Sequence, residues 1–202
     1  MIKTISELHK VAHFLNTELF EGKLKDYVIL VVPQKKEGVL GTCSRHPIWQ
    51  NREEVNIGRK YEITLSGERL NRTTEEIVGT LLHEMVHLYC QMNHIKDVSG
   101  FAWHNDNFKD QAFKHGLTVE KAKGIGWSVT KLKPETVELL KRIEVDSSAF
   151  DYWRNPTVIE KTGPNILWYK YTCPKCGLNF SLPKKVDVVC ESCNEKLAVG
   201  DV

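Results

Sequence analysis

Residues 82–87 read Leu-His-Glu-Met-Val-His, and this H-E-x-x-H pattern constrains the fold more than any other feature of the chain. His83 and His87 are four residues apart. On a helix they stand one turn above each other on one face, so both ring nitrogens can meet a single Zn²⁺ at about 2.0–2.1 Å. Glu84 is not needed as a ligand. Beside His83, its carboxylate is placed to take a proton from a nucleophilic water. The flanks support a helix. Thr73-Thr-Glu-Glu76 fits a capping box, and Ile77, Leu81, Met85 and Leu88 supply one apolar face, which predicts a helix from about Thr74 to Met92.

A catalytic zinc needs a third protein ligand and an open position. The extended form of the motif would place Gly at 90 and His at 93, but the chain has Cys90 and Asn93. A glutamate on a following helix is not offered either, because Glu120 is the only Glu between His87 and Pro134 and its surroundings are poorly helical. The remaining candidates are His94, His104, His115, Asp97, Asp106 and Asp110. His94 would lie two turns up the same helix, about 10 Å along the axis, unless the helix breaks at Asn93. His104 follows a loop long enough to turn back and opens the next helical stretch, so it is preferred, with His94 second and the aspartates third.

The rest of the chain reads as a soluble α+β protein. Of its 202 residues, 41% are hydrophobic and 27% charged, and the net charge is only +2, which gives no electrostatic case for nucleic-acid binding by the whole chain. Met1 to Phe20 is interrupted by Lys3, Glu7, His9, Lys10 and His13, so it does not read as a signal peptide, and the expected location is the cytoplasm without a membrane partner. Thr4-Ile-Ser-Glu7 fits a second capping box opening a helix to about residue 20. Tyr27–Val32 reads as a buried strand closed by Pro33. Residues 38–65 read as two or three antiparallel strands, Tyr61–Leu65 the clearest. Asn105–Lys114 reads as a helix ended by Gly116, and Pro134 opens another to about Glu144. Residues 117–133 carry no clear period. The expected division is a domain over residues 1–146, a linker over 147–165 and a small module over 166–202.

That module contains Cys173-Pro-Lys-Cys176-Gly and Cys190-Glu-Ser-Cys193-Asn. Paired C-x-x-C motifs at this spacing predict a closed Cys₄ zinc site, structural because four thiolates leave no open position. Gly177 and Asn194 accept the left-handed backbone that turns amides toward the thiolates. Leu178–Leu182 and Val186–Val189 read as a hairpin, and the whole resembles a zinc ribbon. Cys43 and Cys90 read as buried core.

Several stretches together resemble the SprT-like zinc metalloproteases, the family that includes the eukaryotic repair protease Spartan. They are Leu15-Asn16, Leu19-Phe-Glu-Gly-Lys-Leu24, Leu40-Gly-Thr-Cys-Ser44, Tyr61-Glu-Ile-Thr-Leu-Ser66, Thr80-Leu-Leu-His-Glu-Met-Val-His87 and His104-Asn-Asp-Asn-Phe108. The resemblance covers about residues 10–117, and the cysteine pairs extend it. It implies a compact zincin-like domain, with a small antiparallel sheet above the metal helix. It implies a metal site of His83, His87 and His104, with Glu84 as catalytic acid/base. It also implies a cleft whose edge strand pairs with an extended protein substrate, including protein associated with or crosslinked to DNA.

The function expected is zinc-dependent endopeptidase, with one catalytic and one structural zinc. The alternative is a DNA-binding zinc protein without protease activity. Trp168, Tyr169, Lys170, Tyr171, Lys175, Lys184 and Lys185 suit base stacking and phosphate contact. Residues 151–202 hold 7 basic against 6 acidic residues, so any DNA binding is expected to be weak.

Overall fold

A computed structural model describes residues 1–34, 38–52, 58–100, 102–155 and 168–201. They cluster into two units, Met1–Pro156 and Thr157–Val202. The first is a mixed α+β unit.

Helix α1 (Ile2–Phe20) buries Leu8, Val11, Ala12 and Leu15, an i, i+3, i+4, i+7 stripe. It starts earlier than the capping-box reading placed it. Met1 is the N-cap and makes no side-chain cap bond. Thr4 and Glu7 serve tertiary contacts instead. Thr4 Oγ1 donates to the Ala149 carbonyl at 2.7 Å, and Glu7 Oε1 accepts the Asp146 amide at 2.8 Å. These bonds hold a 3₁₀ turn, Ser147–Phe150, whose Ala149 and Phe150 are buried. Residues 147–150, read from the sequence as linker, thus belong to the first unit's packing. Residues 156–165 of that linker lie outside the described residues.

The first sheet has the order β1-β3-β2, from β1 (Tyr27–Val32), β2 (Gly41–Cys43) and β3 (Tyr61–Ser66). β1 runs parallel to β3, and β2 antiparallel to it. The sheet is mixed, which corrects the antiparallel expectation. The chain crosses over after β1 and lays β2 on the far side of β3, which alternation within single strands does not encode. β2 is thus an edge. Leu40 O accepts from Ser66 N and Ser44 N donates to Glu62 O, so the peptide groups of Gly41 and Cys43 point away from β3.

Helix α2 (Thr74–Met92) has its capping box formed: Thr73 Oγ1 accepts from Glu76 N, and Glu76 Oε2 accepts from Thr73 N at 2.9 Å. It packs on α1, β2 and β3. Leu81, Leu82, Met85 and Leu88 are fully buried, in one core with Leu8, Leu15, Ile63 and Leu65. Each such side chain contributes about 1.5–3 kcal/mol of transfer free energy, so Leu82→Ala should cost about 2–5 kcal/mol once the cavity is included.

The chain returns through β4 (Val98–Ser99) and β5 (Trp103–His104) into α3 (Asp106–Lys114), where Asn105 Oδ1 accepts from Phe108 N as N-cap. Residues 117–133, left unassigned by sequence, form a hairpin of β6 (Leu117–Ala122) and β7 (Gly126–Leu132). The second sheet has the order β4-β5-β7-β6. Helix α4 (Pro134–Leu140) begins with Pro134 in its first turn and continues as a 3₁₀ turn to Ile143.

The second unit has a three-stranded antiparallel sheet, β9 (Asn179–Leu182), β8 (Tyr169–Thr172) and β12 (Ala198–Asp201), with β8 in the middle. A separate small ladder joins β10 (Val189–Cys190) and β11 (Glu195–Lys196). The hairpin expected between 178–182 and 186–189 is not formed. β9 pairs with β8, because Tyr171 and Phe180 stack across that pair at 5.5 Å. Tyr171, Cys173, Cys190 and Leu197 form the buried centre. Among the described residues no helix is long and apolar enough to cross a membrane.

Candidate metal centre

The buried face of α2 brings His83 and His87 to one point, and the return through β5 delivers His104 to them. The three Nε2 atoms lie 3.2 Å (His83–His87), 3.3 Å (His83–His104) and 3.1 Å (His87–His104) apart. A tetrahedral centre with Zn–N bonds of about 2.0–2.1 Å holds its nitrogens about 3.3 Å apart, so the spacing fits a zinc ion.

The outer nitrogens explain the aim of the inner ones. His83 Nδ1 lies 2.9 Å from Thr130 Oγ1, while His87 Nδ1 donates to Asp97 Oδ2 at 2.5 Å and His104 Nδ1 to the Ile125 carbonyl at 3.1 Å. With the protons of His87 and His104 committed to Nδ1, their Nε2 lone pairs face the shared point, and the same tautomer in His83, with Thr130 Oγ1 accepting, aims a third lone pair there. Burial lowers the pKa of His83 well below its ordinary value and that of His104 in the same direction, which keeps both rings neutral and able to ligate. Three lone pairs converging in a half-buried site repel one another, and a cation relieves this.

Gly126 fixes His104. It has a φ of +72°, and a Cβ there would lie 2.2 Å from the His104 carbonyl oxygen. No other residue type permits that approach, and it is what lets His104 pair with Gly126 in the short parallel bridge between β5 and β7. Phe108 lies beneath the cluster, its ring centroid 4.6–4.7 Å from all three imidazoles.

Glu84 is 5% exposed. Burial raises its carboxyl to about 7, and a dication at the histidines acts the other way, favouring the ionised form. The site opens into a cleft of about 1400 Å³. Gly38–Cys43 line one wall and Ser128–Leu132 the other.

The other candidates stand apart. The helix does end at Met92, and His94 adopts a φ of +56°, but it only lines the cleft and does not join the histidine cluster. Asp97 holds His87 from behind. His115 is buried, donates from Nδ1 to the Leu19 carbonyl at 2.7 Å and stacks on Phe20. Asp106 accepts from Trp127 Nε1, and Asp110 lies near Lys109. Sequence reasoning missed Thr130, Ile125 and Gly126 as supports of the histidines. The glycine beside a β-branched, alternating run from 127 to 132 was the available signal.

Cys173, Cys176, Cys190 and Cys193 form the second cluster. Gly177 and Asn194 both have left-handed backbones, with φ of +74° and +54°. Their amides donate to the carbonyls of Cys173 and Cys190 at 3.0 and 2.7 Å. Cys176 Sγ and Cys190 Sγ are 3.7 Å apart, against about 3.8 Å for two thiolates on a tetrahedral zinc with 2.3 Å bonds. Backbone amides of Cys176 and Lys175 hold the Cys173 thiol down at about 7. Burial pushes the thiols of Cys43 and Cys90 well above the usual range.

Fold and clusters together define an α+β protein with two sites suited to metal, one of three histidines and one of four cysteines. The model of the SprT-like family matches residues 8–125, more than half of the chain, and the chain belongs to the SprT-like family. No curated protein and no solved structure matches it.

Proposed function

We propose that this protein is a zinc-dependent endopeptidase. The observation that carries the reading is the convergence of three Nε2 atoms whose rings are each held by a polar partner at Nδ1, next to a buried glutamate and lining an open cleft. His83, His87 and His104 would hold the ion. Zinc, when bound, supplies Lewis-acid polarisation of the scissile carbonyl and makes water a stronger acid at neutral pH. Glu84 accepts the proton of the attacking water and passes it to the departing amine. Asp97, Thr130 and the Ile125 carbonyl keep the three rings in one tautomer through the cycle. The outward peptide groups of Gly41 and Cys43 offer main-chain pairing to an extended segment, which selects for unfolded substrate rather than for one sequence.

The four cysteines would hold a structural zinc in a ribbon. That unit presents Trp168, 51% exposed, beside exposed Lys170, which suits weak contact with single-stranded nucleic acid. In this reading the ribbon directs the peptidase to protein on DNA. The competing reading, a DNA-binding zinc protein without peptidase activity, rests on the same two residues and leaves the buried Glu84 without a role.

The test is cleavage of an unfolded protein by the full chain. A strong chelator should abolish cleavage and added zinc should restore it. Cleavage that persists in chelator would refute the proposal.

A further inference from the structure

Gly41 lies on β2 directly against Glu84, and its lack of a side chain has a specific cause. Its φ is outside the left-handed region, so the backbone would accept any L-residue. Space is what excludes one. A Cβ at 41 would lie 3.0 Å from Glu84 Cγ, 3.0 Å from Glu84 Oε1 and 2.9 Å from the Thr64 carbonyl oxygen. The Thr64 carbonyl is backbone of β3, the central strand, which is paired on both sides. At that backbone contact the strand itself has to give, and the glutamate side chain is the second neighbour that has to move, by a few tenths of an ångström. Among the described residues no hydrogen bond holds the Glu84 carboxylate, whereas every histidine of the cluster is tied at Nδ1. Among the described protein groups, packing is therefore what steers the carboxylate.

We infer that Gly41 is a positioning residue for Glu84: its bare Cα forms the wall that lets the carboxylate lie between the β2 edge and the histidine cluster. Gly41 thus has two uses at one place. Its peptide group faces the open edge, and its missing side chain leaves room for the glutamate. Alanine at 41 shifts the carboxylate by a few tenths of an ångström. A misplacement of about 1 Å at a reacting group can cost about 10²-fold in rate, so a smaller shift costs less than that. The inference rests on the peptidase reading only for its rate consequence, since the contact itself is readable from stability.

The experiment is a double-mutant cycle on the full chain with both zinc sites loaded. Wild-type cleavage is measured first, and its complete absence overturns the peptidase reading rather than the contact. Gly41→Ala should keep its zinc content and lower kcat about 3–10-fold with KM within about twofold. In a Glu84→Asp background, whose carboxylate is one methylene shorter, the same change should cost less than about twofold more. In urea unfolding, Gly41→Ala should lower the midpoint in wild type, and clearly less in a Glu84→Ala background where the space is vacated. The Thr64 contact is common to both backgrounds and cancels in the cycle. Should Gly41→Ala prevent folding both with and without the Glu84 side chain, that backbone contact controls the site and the assignment is overturned. A wild-type kcat in Gly41→Ala, or an equal cost of Gly41→Ala with and without Glu84 in stability, overturns the assignment.

Discussion

Asp97 Oδ2 sits 2.5 Å from Nδ1 of His87, and the aspartate side chain is 3% exposed. A buried carboxylate is costly unless paired, so its place behind the imidazole commits it to that ring. Asp97 lies five residues past the end of α2. The left-handed turn at His94 brings the chain back, with Ile95 N donating to the Cys90 carbonyl.

Asp97→Ala should weaken zinc at the histidine site about 10–100-fold while leaving the cysteine site full. Competition with a chromophoric chelator measures this. Cleavage should recover at excess zinc, because the three ligands remain. His94→Ala is the matching control and should leave zinc affinity unchanged.

Gly126→Ala should displace His104, since the new Cβ would meet the His104 carbonyl at 2.2 Å. Zinc after dialysis should fall from about two ions per chain to about one, as in His104→Ala. Elemental analysis with protein quantitation reads the outcome. Two retained ions would mean that the β5–β7 bridge does not position the ligand.

Cys173→Ser should remove the other ion and melt residues 168–201, because a unit whose buried centre is Tyr171, Leu197 and two of the cysteines has little else to hold it. Amide spectra of the full chain should lose dispersion for that unit alone. Zinc-dependent cleavage of unfolded protein should persist.

Glu68 supports the first unit by accepting from the Gln34 amide, Ser66 Oγ and Arg154 Nη1. Its carboxyl is held down at about 2, chiefly by the Gln34 amide. The folded value lies below the unfolded one, so the contribution is complete above pH ~4.5 and is lost as pH falls toward about 2. The difference in melting temperature between wild type and Glu68→Gln should therefore be largest near neutral pH and shrink across that window.

Much of the site was legible in sequence because its information is local. A capping box, an apolar stripe and an i, i+4 histidine pair all report on α2 from within α2. The placement of His104 also followed, since loop length limits where the chain can return. Asp97 was weighed as a ligand, but spacing cannot separate a group that touches a metal from one that touches its imidazole. Gly126 was visible as a glycine, yet its contact depends on β5 meeting β7. Thr4 and Glu7 show the reverse case. Their spacing matches a capping box, but tertiary bonds to Ala149 and Asp146 claimed both side chains and the helix began at Ile2. The parallel pairing of β1 with β3 was hidden because both strands read the same whichever way they run.

The most direct test of the account compares wild type and Glu84→Gln for cleavage of an unfolded protein at equal zinc content. The substitution keeps the shape of the side chain and removes its ability to take a proton. The account predicts two zinc ions in both proteins, unchanged unfolding midpoints within experimental scatter, and cleavage slower by about 10²–10⁴-fold in the variant. Cleavage by Glu84→Gln at the wild-type rate, with both ions bound, would contradict it.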